Sequence, residues 1–236
     1  MTNREIFSLG PRLALCARLL RPGRTVADIG TDHGYLPIWL IKTGAVQKAI
    51  ASDINPGPLD AARRHGEIYG VGDRLRLVLG DGLCGIGPED AEDIVIAGMG
   101  GELILHIISS AAWLKGPGKR LVLQPMSAVD KLRAGLWQMG FAIIEELAAQ
   151  ESGKVYSAFS VEYRGALGDM DSIYPYMGRL KPGTAEVSAY AGKVLRGLGN
   201  SLLGAEHNGL RDEAGRLRGI IEGIEREYLR QGEAHG

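Results

Sequence analysis

The stretch "ADIGTDHGYLP", from Ala27 to Pro37, follows a short apolar run and leads into the apolar segment "IWLIKTG". A glycine-punctuated turn between a strand and a helix is where open α/β sheets take nucleotide-like ligands. The spacing here is Asp28-x-Gly30-x-Asp32-x-Gly34. A dinucleotide loop carries a glycine where Asp32 stands, so that the backbone can approach a pyrophosphate at a helix N-terminus. A carboxylate at that place repels a pyrophosphate but suits a ligand bearing an amino group and a sulfonium cation. The loop therefore points to S-adenosyl-L-methionine rather than to a nicotinamide dinucleotide.

Working outward, "TVADIG", "KAIASDI", "RLRLVLGDG", "DIVIAGMG" and "RLVLQPM" read as five strands, each followed by a segment with helical spacing or a short turn. Alternating β and α segments predict a parallel sheet with right-handed crossovers and helices on both faces. After Gly140, "FAIIEELAAQESGKVYSAFSVEYR" reads as two strands joined through a turn near "ESGK", an antiparallel hairpin on the sheet edge. Five parallel strands closed by an antiparallel pair is the class I methyltransferase, Rossmann-like arrangement. The expected units are a cofactor-binding methyltransferase domain over 1–163 and a linker with a small α-helical coiled-coil domain over 164–236. In that tail "AEVSAYAGKVLRGLGNSLLGAE" and "NGLRDEAGRLRGIIEGIEREYLR" predict two helices forming an antiparallel hairpin, with a seam of Leu210, Leu217 and Ile224 flanked by Ile221 and Tyr228.

Three strand ends carry acids on one rim. Besides the loop, the second strand ends in Asp53, 23 residues beyond Gly30, placed to accept from ribose hydroxyls or to cap the following helix. The third ends in "GDGL", where Asp81 is placed to accept from an exocyclic adenine amine. The fourth runs into "AGMGGE", whose Gly98, Gly100 and Gly101 leave the rim open for a planar substrate. No Asp/Asn-Pro-Pro-aromatic tetrad, the usual holder of an adenine amine, stands there; a ring nitrogen or an oxygen is left as the nucleophile. In "LQPM", Gln124 offers an amide to a base edge or simply precedes a strand-ending proline.

The chain has 236 residues, 45% hydrophobic and 23% charged, ordinary values for a globular protein. Cys16 and Cys84 lie far apart without CxxC spacing, which supports neither a disulfide framework nor a metal site. With no signal-peptide pattern and no membrane-length apolar run, a cytoplasmic protein is expected. The net charge of −1 hides a basic N-terminal segment, where Arg4, Arg12, Arg18, Arg21 and Arg24 face Glu5 alone. That segment reads as a polyanion footprint or as a solvated helix face.

"ADIGTDHGYLP", "GDGL", "IAGMGG" and "LQP", in this order, resemble the bacterial tRNA (adenine(22)-N(1))-methyltransferase family, TrmK-like, over nearly the whole chain. The resemblance implies methylation of adenine N1 in tRNA with S-adenosyl-L-methionine as cofactor, and no metal. It implies a cofactor pocket built from Asp28, Gly30, Asp32 and His33, with Asp53 on the ribose and Asp81 and Gly82 beside the adenine; Thr31, Ile54, Ala97 and Gly98 complete the expected set. Tyr35 would stand near the transferred methyl and stack on the target base. Met99, Gly100, Gly101 and Gln124 would form the substrate side, with Arg4 and Arg12 on the tRNA. Asp32, His33 and Tyr35 are the candidate catalytic residues; Asp32 would stabilise developing charge and His33 would orient the loop. Met126 departs from the asparagine of many relatives. A small-molecule class I methyltransferase and a non-catalytic RNA-binding module remain open alternatives.

Overall fold

In the computed structural model seven strands form one sheet in the order β3-β2-β1-β4-β5-β7-β6. The structure describes residues 5–229. The strands are β1 (Val26–Ile29), β2 (Ala49–Asp53), β3 (Leu75–Leu79), β4 (Asp93–Gly100), β5 (Arg120–Ser127), β6 (Phe141–Glu151) and β7 (Lys154–Tyr163). β1 to β5 pair in parallel, and β7 enters antiparallel between β5 and β6. This is the class I methyltransferase sheet expected from the alternation of segments. The order reverses beside β1, which opens a crevice at the carboxyl ends of β1 and β4.

The helices are α1 (Pro11–Leu19), α2 (Tyr35–Lys42), α3 (Pro56–Ile68), α4 (Gly101–Ser109), α5 (Val129–Gln138), α6 (Tyr174–Met177), α7 (Ala185–His207) and α8 (Arg211–Tyr228). The central strands are apolar on both faces because both are covered. Ile29, Ile94, Ile96, Leu121 and Leu123 meet Ile104, Ile107 and Ile108 of α4 and Leu132 and Leu136 of α5. The alternate residues Val26, Ala51, Val95 and Val122 meet Leu15 and Leu19 of α1 and Ile38 and Ile41 of α2.

The turn between β6 and β7 has two central residues, Ser152 and Gly153, both at positive φ (50° and 73°). That backbone matches the twist of a tight hairpin, and glycine takes the second place at no steric cost.

The tail forms the expected helical hairpin, but its seam differs. Ala214, Leu217, Ile220, Gly223, Ile224 and Tyr228 are the buried residues of α8, whereas Leu210 lies before the helix and is 54% exposed. The seam follows three- and four-residue steps, which pack against a neighbouring layer as well as against α7. The apolar cluster that holds α7 and α8 also contains Met177, Leu180 and Val155 of β7, so the hairpin is seated on the β6–β7 end of the sheet.

A buried ion pair anchors that seat. Arg133 of α5 and Glu146 of β6 are fully buried and 2.6 Å apart. The guanidinium also donates to Pro175 O, Tyr176 O, Ser157 Oγ and Tyr190 Oη, and Arg179 N donates to the free carboxylate oxygen of Glu146. One side chain thereby joins α5, β7, α6 and α7.

Candidate active site

The loop after β1 folds back over the end of β2, where Gly30 N and Thr31 N both donate to Ser52 O (2.8 and 2.9 Å). His33 and Gly34 follow at φ of 57° and 72°, which turn the chain sharply into α2. Thr31 is buried and its hydroxyl donates to Asp28 Oδ2 at 2.6 Å. Burial pushes the Asp28 carboxyl up to about 6; the Thr31 hydrogen bond opposes the rise and the neighbouring Asp53 carboxylate adds to it.

A cleft of about 650 Å³ opens at the carboxyl ends of β1, β2 and β4. Asp28, Gly30, Asp32, Asp53, Ile54, Asp81, Gly82, Ala97, Gly98, Met99, Gln124 and Arg12 all line it. Four carboxylates thus surround the cavity against one cation. Asp53 accepts from Asn55 N at 2.8 Å with one oxygen, and its second oxygen has no partner among the described residues. The Asp81 carboxylate is exposed and likewise without a partner among the described residues. These free acceptors fit hydroxyl and amine donors of a nucleoside, and the acidic lining fits a cation.

The cleft wall on β4 depends on a bulge. Ala97 pairs with Gln124 and Met99 with Pro125, leaving Gly98 as the extra residue at φ 77°. Its N–H, lost from the ladder, donates to Gln124 Oε1 at 3.2 Å. Gln124 is fully buried and its amide nitrogen donates to Pro125 O at 3.0 Å. Its amide thus braces the wall from within, and the residue also lines the cleft. Arg12 donates to Gln124 Oε1 at 3.3 Å and forms an ion pair with Glu151, so it reaches the cleft as part of the same bracket.

Five expected site residues stand outside the lining. Thr31 acts beneath it through Asp28. A Cβ on Gly101 would meet Ala128 O at 2.3 Å, so this glycine serves the approach of the α5 entry to α4 and not an open rim. Gly100 faces Ser127 Oγ in the same way, at 3.3 Å. His33 lies against Asp32, with Nε2 3.1 Å from the carboxylate, and its carbonyl meets His65 Nδ1 at 2.9 Å. Tyr35, 39% exposed, packs edge-on against Phe7 (5.3 Å) and stacks on His65 (5.4 Å, 29°). It belongs to an aromatic group beside the cleft, between the lining residues Asp32 and Leu36. Arg4 lies outside the described residues.

The basic N-terminal segment is mostly neutralised. Arg12 pairs with Glu151, Arg21 with buried Asp93, and Arg24 with Glu92, while Arg18 is exposed on α1. The helix begins only at Pro11, a residue suited to a first helical position. Sequence reasoning did not single out Leu13, Leu36, Leu103 or Ile107 as apolar cleft walls; Met126, where many relatives carry asparagine, lines the cleft as well. Among the described residues no group of acids, histidines or cysteines could hold a metal ion, and no helix is long and apolar enough to cross a membrane.

A profile described as a methyltransferase domain matches residues 9–159. The tRNA (adenine(22)-N(1))-methyltransferase of Bacillus subtilis is 36% identical over 168 residues, which are 71% of this chain and 69% of that protein. The chain belongs to this methyltransferase family. Its fold matches the solved structure of the B. subtilis tRNA methyltransferase TrmK with a TM-score of 0.79 at 28% identity, covering 94% of this chain and 99% of that one. A Streptococcus pneumoniae protein solved in complex with S-adenosyl-L-methionine matches with a TM-score of 0.75 at 30% identity, covering 89% of this chain and 98% of that one. The match to TrmK takes in the tail, since its coverage extends well beyond the domain matched by the profile.

Proposed function

We propose that this chain transfers a methyl group from S-adenosyl-L-methionine to N1 of adenine 22 in tRNA. The observation that carries the reading is the acidic cleft at the carboxyl rim of a parallel sheet, in a chain of this family. When bound, S-adenosyl-L-methionine supplies a methyl group on a sulfonium centre, open to attack by a nitrogen lone pair. Asp53 and Asp81 offer free carboxylate oxygens to its ribose and adenine, and Asp28 and Asp32 give its cationic end a negative surrounding.

Neutral adenine N1 has an in-plane lone pair and no proton to lose, so placement matters more than a general base. His33 then serves to orient Asp32, and Asp32 stabilises the cationic ring of the product. In folded tRNA the N1 edge must be exposed before it reacts, and an aromatic surface offsets part of that cost. Tyr35, backed by His65 and Phe7, provides one beside the cleft. The unit over 164–236 supports the RNA, and the protein works where tRNA is matured, in the cytoplasm.

The test is methyl transfer from labelled cofactor to an unmodified tRNA transcript, followed by nucleoside digestion and mapping. One-methyladenosine at position 22, abolished when that base is changed to guanine, is the expected result; cofactor binding without transfer to tRNA would reject the substrate. Tyr35→Ala should raise KM for tRNA, since one base stacked on an aromatic ring is worth about 1–3 kcal/mol. Tyr35→Phe should keep most of the activity, and cofactor affinity should hold in both.

A further inference from the structure

Beside the cofactor cleft lies a second cavity of about 450 Å³, between the β6–β7 turn and α7. Met126, 39% exposed, lines both and so stands between them. The two differ sharply in charge. Lys154, Lys193 and Arg196 line the second cavity, and among the described residues no aspartate or glutamate does.

Among the described residues no carboxylate holds these cations. Lys193 Nζ donates to Val155 O at 3.2 Å and stands 5.7 Å from the ring centroids of both Tyr156 and Tyr190, which fixes the ammonium without neutralising it. Lys154 and Arg196 are exposed and make no ion pair among the described residues. Elsewhere the arginines are largely paired, as with Arg12, Arg21, Arg24, Arg76, Arg120 and Arg133. Glu151, the acid nearest in sequence to Lys154, is taken up by Arg12. Spread along an open groove from two elements, the three cations suit an extended polyanion better than one small anion, which would want converging N–H donors in a closed site.

We infer that the groove of Lys154, Lys193 and Arg196 binds the ribose–phosphate backbone of the polynucleotide beside the base that enters the cleft. This rests on the tRNA reading above and adds to it a phosphate subsite, reached across Met126. The groove lies at the β6 end of the sheet, so the backbone would run from the cleft toward the helical hairpin.

The test uses the full chain and a tRNA transcript with guanine at position 22, which reports binding without transfer. The variant is Lys154→Glu with Arg196→Glu, both exposed side chains whose change leaves the core intact. Lys48→Glu is the control, an exposed residue directly before β2 at the amino end of the sheet. The double variant should bind tRNA about tenfold more weakly near 0.1 M salt, and the slope of log affinity on log salt should shrink by about 1.4–1.8, two phosphate contacts' share. KM for tRNA should rise with it, while affinity for S-adenosylhomocysteine and the melting temperature stay at wild-type values. Lys193→Met should weaken tRNA binding in the same direction.

Wild-type tRNA affinity and salt slope in the double variant, or an equal loss in Lys48→Glu, would overturn the inference while leaving methylation of adenine 22 untouched. A double variant that keeps tRNA binding but loses binding of poly-glutamate would overturn it in favour of an acidic protein partner. Failure of the unaltered chain to bind tRNA would overturn both this inference and the substrate assignment.

Discussion

Replacing Asp28 by asparagine tests the electrostatics of the cleft in the ligand-free protein. The carboxyl is 6% exposed, and burial raises its pKa from 3.8 to about 6. Between those values the folded chain holds a proton that the unfolded chain has released, so stability falls as pH rises through this window and is level above it. At 1.36 kcal/mol per pH unit the full difference is about 3 kcal/mol. Asparagine has no such titration and can still accept from the Thr31 hydroxyl. Asp28→Asn should therefore gain on the wild type by about 1 kcal/mol at pH 4.5 and about 3 kcal/mol at pH 7.5, beyond any constant offset from the amide group. Urea unfolding of both proteins across this range measures the difference directly. Because an unsatisfied amide hydrogen adds only a pH-independent term, the slope and not the offset is decisive. A difference that stays flat from pH 4.5 to 7.5 would refute the claim that Asp28 is held in a desolvated, strained-to-ionise site.

Two further substitutions probe the framework. Arg133→Met should destabilise the protein by about 3–5 kcal/mol in urea unfolding, because Glu146 is left charged and buried, and adding Glu146→Leu should recover much of the loss. Gln124→Leu strips the Gly98 N–H of its acceptor at a cost of about 1–3 kcal/mol and loosens the bulge; calorimetry should show weaker cofactor binding, and unchanged affinity would remove Gln124 from the wall.

Much of this was legible in the sequence because it is local. The run "DIVIAGMG" coincides with β4, and the β6–β7 turn falls on Ser152 and Gly153 within "ESGK". Acids at strand ends gather on one rim by topology alone, so Asp28, Asp53 and Asp81 could be placed together without coordinates. What escaped depends mostly on long-range contact, with one local exception at the end of α4. "GELILHIISSAAWL" reads as one helix, yet Ser109 and Ser110 bond back to the carbonyls of His106 and Ile107 and the helix stops at Ser109. Arg133 looks like any polar residue of an amphipathic helix; its burial comes from Glu146, Tyr190 and the carbonyls of α6, up to 57 residues away. Gly101 sits in a glycine run that suggests openness, whereas a carbonyl from α5's entry fills the space.

The Arg133 anchor bears on how far the chain can be taken apart. Its partners come from the sheet, from the connection after Tyr163 and from the first long helix of the tail. Cutting at residue 163 would leave a guanidinium with three of its five hydrogen-bond partners gone and expose the apolar end of the β-hairpin. A truncated protein that failed on RNA would thus report a damaged fold as readily as a missing contact. Chimeras face the same constraint: a tail borrowed from a relative is transplantable only together with the receptor for that arginine, Tyr190 and the carbonyls of α6. Modularity in this chain is a matter of function drawn on a structure that solidifies as one piece.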